Sequence, residues 1–204
     1  MDFRLDQVEV RVLGALMEKE SATPEYYPLS LNALVAASNQ KTNRDPVVSL
    51  DEDAVLAAIE GLRARGLAMD ISGAEYRVHK YAHRLGEVFN FDRRQQAVLC
   101  LLMLRGPQTV GELRGRTERL YSFDDLAAVD ATLRRLMERT PPLVTKLARE
   151  AGEKEPRFAH LLAGEVAPPE PQPQREPIEQ RVARLEAELA DFRRQFEEFR
   201  RSFE

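Results

Sequence analysis

The sequence predicts a mostly helical α+β fold with small β-hairpins, and three observations lead to it. Apolar residues recur at helical spacing over most of the chain, short strand-like runs follow two groups of three helices, and one order of elements occurs twice. In the first copy, Leu5 to Glu20 forms an amphipathic helix with Val8, Val12, Leu13 and Leu16 on one side, and Leu29 to Asn39 a shorter one with Leu31, Leu34 and Val35 inward. A third helix runs from about Asp51 to Arg65, with Val55, Leu56, Ile59 and Leu62 on one face and Gly66 as its stop. Leu67 to Ile71 and Glu75 to Lys80 then read as two strands joined at Ser72-Gly73.

The second copy repeats this order. Asp92 to Arg105, Thr109 to Thr117 and Asp124 to Glu138 are its helices, and Leu143 to Leu162 is a hairpin turning at Ala151 to Pro156. Val12-Leu13 and Leu16-Met17 match Val98-Leu99 and Leu102-Met103 at an offset of 86, Leu34 matches Leu113 at 79, and Val55, Ile59 and Leu62 match Val129, Leu133 and Leu136 at 74. The falling offset places extra loop residues in the first copy, before and after its second helix. Capping boxes mark the starts: Ser49 with Glu52, Thr109 with Glu112 and, in weaker form, Ser122 with Asp125. Three helices and a hairpin are the winged-helix order, so two tandem winged-helix (helix-turn-helix) domains are expected, at residues 1–86 and 87–163.

Residues 164–177, GEVAPPEPQPQREP, hold five prolines and no large apolar cluster, which makes them a semi-rigid linker. From 178 to 204 the apolar residues Ile178, Val182, Leu185, Leu189, Phe192, Phe196, Phe199 and Phe203 alternate spacings of four and three, an unbroken heptad seam and hence a coiled-coil helix. In a parallel homodimer, the flanking pairs Arg181 with Glu186 and Glu188 with Arg193 attract across the interface. Docking of this helix back onto its own domains is the alternative.

Composition narrows the function. No run approaches 18 apolar residues, and the first dozen lack the apolar core of a signal peptide, so a cytoplasmic protein outside the membrane is expected. The one cysteine, Cys100, lies in an apolar run and reads as a core residue in a reducing compartment. The net charge of −4 is uneven: −3 over residues 1–86, +2 over 87–163 and −3 over 164–204. Only the middle segment is basic.

One stretch is recognisable. PEYYPLSLN, with Tyr26, Tyr27, Pro28 and Asn32, is followed by NQKTNRDP, with Asn39, Gln40, Asn43, Arg44 and Pro46. Together with VLGALMEKE before and VVSLDEDAV after, it resembles the YceH family of uncharacterised bacterial proteins over about residues 5–90, and more loosely to residue 163. The resemblance implies tandem winged helices, a dimer and no established activity.

No catalytic constellation is present, and neither a metal nor a cofactor is expected. His79 and His83 are four apart but fall at and beyond a strand end, without a cysteine or an HExxH context, and His160 stands alone. Asp51-Glu52-Asp53 and Asp124-Asp125 open helices, where carboxylates meet the positive end of the helix dipole. The same acids argue against major-groove reading by the third helices, because a carboxylate about 4 Å from a phosphate is opposed by about 1 kcal/mol even in water.

DNA contact must then come from elsewhere. Lys41, Asn43 and Arg44 in the 39–44 loop are one candidate group, and Arg114, Arg116 and Arg119 with Lys146, Arg149, Lys154 and Arg157 on the second hairpin are the other. The bland readings are loop amides that satisfy backbone groups and a solvated basic face. Tyr26 and Tyr27 either stack on a partner or close over the first core. Val182, Leu185, Leu189, Phe192, Phe196 and Phe199 are the expected dimer contacts. A dimeric DNA-associated regulator is thus the leading expectation, and a protein-interaction scaffold the alternative.

Overall fold

The computed structural model describes residues 4–72, 78–149, 153–164 and 178–201. In chain order its elements are α1 (Gln7–Ala22), a 3₁₀ turn (Pro24–Tyr26), β1 (Leu29–Ser30), α2 (Leu31–Ser38), α3 (Glu52–Ala64), β2 (Ala68–Ile71), β3 (Lys80–His83), α4 (Leu85–Phe89), α5 (Arg93–Arg105), α6 (Val110–Arg116), α7 (Leu126–Met137), β4 (Val144–Lys146), β5 (Phe158–His160) and α8 (Ile178–Arg201). This is an α+β fold with small antiparallel sheets. Chain contacts divide it into two units, Met1–Val166 and Ala167–Glu204.

Helix starts reproduce the repeat residue by residue. The Asp6 carboxylate accepts the Glu9 amide while Glu9 Oε2 accepts the Asp6 amide, and 86 residues on Asp92 and Gln95 form the same box at the head of α5. Ser30 caps α2 and Thr109, 79 residues later, caps α6 in a box with Glu112. Asp51 and Asp125, 74 apart, cap α3 and α7 by accepting the Ala54 and Ala128 amides, each at 2.8 Å. Here the structure departs from the expected Ser49 and Ser122 boxes. An aspartate one residue before the helix offers a charged acceptor where the serine starts offer a neutral one, and it takes the cap.

Neither α1 nor α5 is the one-sided helix that its sequence suggests. α1 buries every residue from Glu9 to Met17, and α5 every residue from Ala97 to Leu104, because each packs on its own repeat with one face and on the other helix with the opposite face. They cross at Gly14, where an added Cβ would stand 2.9 Å from Leu104 Cδ2 and 3.3 Å from Met103 Cβ. The Cys100 thiol donates to the Gly14 carbonyl at 3.5 Å, and Gly14 and Cys100 are themselves 86 residues apart. Equivalent positions of equivalent helices therefore touch, and one core runs through both repeats.

The first sheet has the order β1-β3-β2, with Leu29 opposite Tyr81 and Ala68 opposite His83. Its last strand lies later than the expected Glu75 to Lys80: pairing from Ala68 through Ile71 requires His83 through Lys80, and the 73–77 segment of the expected turn falls outside the described residues. In the second repeat β4 and β5 pair from Val144 opposite His160 to Lys146 opposite Phe158, and Gln108 bridges Phe158. Gln108 is 79 residues beyond Leu29, so it stands where β1 stands in the first repeat. Residues 150–152 of the second turn, and most of the 164–177 linker, lie outside the described residues.

Candidate functional site

The 39–46 loop is tied down by its own motif residues. The Asn39 side chain donates to the Leu50 carbonyl at 2.7 Å and accepts the Leu50 amide at 2.8 Å, closing the loop as a strand partner would. Asn43 adopts a left-handed φ of 59°, a conformation asparagine tolerates better than most residues, and its Oδ1 accepts from Arg105 Nη2 at 3.0 Å. The Asp45 amide donates to the Leu104 carbonyl, and Arg11 Nη2 to that of Pro46 at 2.6 Å.

Arg44 turns inward. Its two Nη atoms meet the Glu18 carboxylate at 3.2 and 2.6 Å, Nη2 also donates to the Ala37 carbonyl at 2.8 Å, and the side chain is 0% exposed. Its buried Nε has no partner among the described residues. Of this loop's expected contact residues, Lys41 is exposed, Asn43 is half-buried and Arg44 is buried.

Cations of the second repeat separate in the same way. Arg157 holds Glu112 at 2.7 Å and Glu153 at 3.1 Å, Arg116 holds Glu112 at 3.3 Å and donates to Gln108 Oε1, and Arg114 donates to the Asp124 carbonyl at 3.0 Å. Burial works against ionisation of Glu112, but the Thr109 amide and the guanidinium groups of Arg157 and Arg116 outweigh it and hold the carboxyl below its ordinary range. Arg119, Lys146, Arg149 and Lys154 are exposed and make no ion pair among the described residues. Three of these four border or lie in the β4–β5 hairpin. The acids at the heads of α3 and α7, Asp51, Glu52, Asp53, Asp124 and Asp125, are all exposed.

Tyr26 is 71% exposed, whereas the Tyr27 hydroxyl accepts the His83 amide at 2.8 Å and burial raises its pKa. Asn32 is exposed on α2 and Gln40 is half-buried. Each histidine of the first repeat meets a carboxylate: His79 Nδ1 lies 2.8 Å from Asp70, and His83 Nε2 2.9 Å from Glu20. His83 ends β3 rather than following it, which is why its ring reaches α1. Among the described residues no group of three His, Cys, Asp or Glu could hold a metal ion, and no helix is long and apolar enough to cross a membrane.

On α8, Val182, Leu185, Leu189, Phe192 and Phe196 are 45 to 66% exposed. The side chain of Phe199 and all of Phe203 lie outside the described residues. Sequence reasoning passed over Arg11, Glu18 and Arg105, which hold the 39–46 loop. A charged residue inside an otherwise apolar helical run, as at Arg11, is the available signal; Glu18, at the head of the charged Glu18-Lys19-Glu20 run, carries none.

Residues 5–153 match the family described as "Protein of unknown function, DUF480". The chain belongs to that family. It is 56% identical over 209 residues to a UPF0502 protein of Solibacter usitatus (strain Ellin6076), with all of both chains covered. To "UPF0502 protein GSU0233" of Geobacter sulfurreducens (strain ATCC 51573 / DSM 12127 / PCA) it is 50% identical over 220 residues, again with both chains fully covered. A UPF0502 protein of Citrifermentans bemidjiense is 53% identical over 195 residues, covering 93% of this chain and 90% of the relative. Membership bears out the resemblance read from the PEYYPLSLN and NQKTNRDP stretches, which lie inside the matched region.

Proposed function

We propose that this member of the family is a cytoplasmic, non-catalytic, dimeric DNA-associated protein of regulatory type, built from two winged-helix domains and paired through α8. The supporting observation is the separation of its cations. Arg44 is buried on Glu18, and Arg114, Arg116 and Arg157 are held by the Asp124 carbonyl or by Glu112 and Glu153, while Lys41, Arg119, Lys146, Arg149 and Lys154 stand exposed without a carboxylate partner among the described residues. Lys146, Arg149 and Lys154 lie on the hairpin with which a winged helix touches the phosphate backbone, and the acidic heads of α3 and α7 turn recognition away from base edges.

The test is titration of mixed-sequence duplex DNA over a range of salt. Affinity falls steeply as salt rises, and the triple variant Lys146→Ala, Arg149→Ala, Lys154→Ala lowers the log-log slope by roughly two to three. Absence of binding at about 50 mM salt overturns the DNA reading. A protein-interaction scaffold is the second reading, favoured by Leu126, 50% exposed directly after Asp124-Asp125 at the head of α7. That apolar residue beside two acids suits a basic protein surface better than a phosphate backbone.

A further inference from the structure

A small cleft of ≈ 180 Å³ opens where the 39–46 loop meets the start and end of the second repeat's helices, lined by Arg44, Asp45, Arg105, Gln108 and Arg116. Three guanidinium groups and one carboxylate make up its charged lining. Of the three, Arg44 is matched by Glu18, and Arg116 shares Glu112 with Arg157. Arg105 has no carboxylate within ion-pair distance among the described residues; the amide oxygen of Asn43 is its hydrogen-bond acceptor. Burial first, then the positive charge of Arg116, lowers the Arg105 pKa, with Asp45 acting the other way and Arg44 adding to the fall. The three arginines are thus close enough to repel one another, and an added anion would relieve that repulsion.

Gln108 supplies an independent sign that the place is built. It is 3% exposed, at the position where the first repeat buries Leu29 at 3%. A polar side chain in a core position costs free energy unless its groups are used. Its amide nitrogen donates to the Arg105 and Pro107 carbonyls and its oxygen accepts from Arg116, so it holds one of the three arginines at the cleft. The buried Nε of Arg44, without a partner among the described residues, adds an unused donor on a lining residue.

From this geometry we infer that the cleft binds a phosphate-class oxyanion through Arg105 and Arg116, with the buried Arg44 contributing positive charge from behind them. Guanidinium forks match the planar edges of phosphate oxygens, and Arg105 is the member with the most donors to spare. The volume is below the ~300 Å³ at which pockets for drug-sized ligands begin, which suits a phosphate or phosphomonoester group rather than a whole cofactor. The phosphate could belong to a DNA backbone or to a small phosphorylated molecule. The site does not depend on the DNA reading, since its residues are separate from Lys146, Arg149 and Lys154.

Calorimetric titration of the full chain with inorganic phosphate, in chloride buffer at constant ionic strength, is the test. Saturable binding is expected, together with a dose-dependent rise in Tm. Arg105→Gln weakens it roughly tenfold or more, the loss of one charge-assisted hydrogen bond, and Arg105→Lys, which keeps the charge but loses the fork, weakens it by an intermediate amount. Absence of saturable binding to the wild-type chain, or equal binding by a folded Arg105→Gln variant, overturns the inference. Two further arms identify the source among sites that do bind: competition of phosphate with duplex DNA points to the backbone, and tighter binding of a sugar phosphomonoester with unchanged DNA affinity points to a small molecule. Failure of DNA binding alone leaves the phosphate titration to stand or fall by itself.

Discussion

Arg44 Nη2 lies 2.6 Å from Glu18 Oε2, and this pair fastens the NQKTNRDP stretch to α1. With the guanidinium fully buried, removing Glu18 leaves an uncompensated charge where water cannot reach it, and removing Arg44 leaves the largely buried Glu18 carboxylate with only the longer Lys19 contact at 3.8 Å among the described residues. Glu18→Gln and Arg44→Ala are each expected to destabilise the protein by about 3 to 5 kcal/mol, read from urea or guanidinium midpoints. A loss no larger than that of an exposed substitution such as Lys41→Ala would contradict the structural role.

At the crossing of α1 and α5 the space at Gly14 is already filled by Leu104 and Met103. Gly14→Ala should therefore overpack the junction of the repeats and cost about 1 to 3 kcal/mol, although alanine is intrinsically the better helix former. A stabilised variant would show that the crossing is looser than described.

Burial also pushes the Cys100 thiol pKa up, so little thiolate is available. Labelling of the native protein by a thiol reagent should proceed no faster than unfolding, and should become rapid in denaturant. Fast labelling under native conditions is the contrary result.

Acid should weaken the fold through His160. Burial lowers its pKa to about 4 from the ordinary 6.5, so the folded chain resists a proton that the unfolded chain accepts. The stability linked to it is complete above pH 6.5 and is lost as pH falls toward 4, up to about 3 kcal/mol. Glu20, held low chiefly by its hydrogen bond with His83, acts in the same direction at still lower pH. Stability measured from pH 4 to 6.5 should fall less steeply for His160→Leu than for the wild type; parallel profiles would rule His160 out as the cause.

For α8 the measurement is mass in solution. Deletion after Pro177 is expected to convert a dimer to a monomer, and Phe192→Asp, which puts a charge into the exposed seam, should do the same in the full-length chain. An unchanged mass for both would refute pairing through this helix.

How much was legible in the sequence depended on how local the interaction was. The α1, α5 and α7 positions, the burial of Cys100 and the repeat offsets of 86, 79 and 74 follow from periodicity and caps within one segment, and the observed N-caps fall at those same offsets. β1 escaped notice because two residues carry no period, and its existence depends on Tyr81 and Lys80 arriving from fifty residues away. The same non-local dependence moved β3 to Lys80–His83. For the 39–46 loop, residue types alone could not say whether Arg44 faced solvent or Glu18, since the acid that claims it lies 26 residues earlier on another element.

By itself, then, the sequence determined the α+β class, the order of the main helices and hairpins, the duplicated plan and the family, because short-range patterning and a specific motif encode them. Only the tertiary structure decided which charges remain for a partner. Arg44 and Arg157 are consumed by carboxylates that chain folding brings to them, whereas Arg105 is left beside two like charges without an ion-pair partner among the described residues. Electrostatic pairing depends on separation in space, and separation along the chain does not report it.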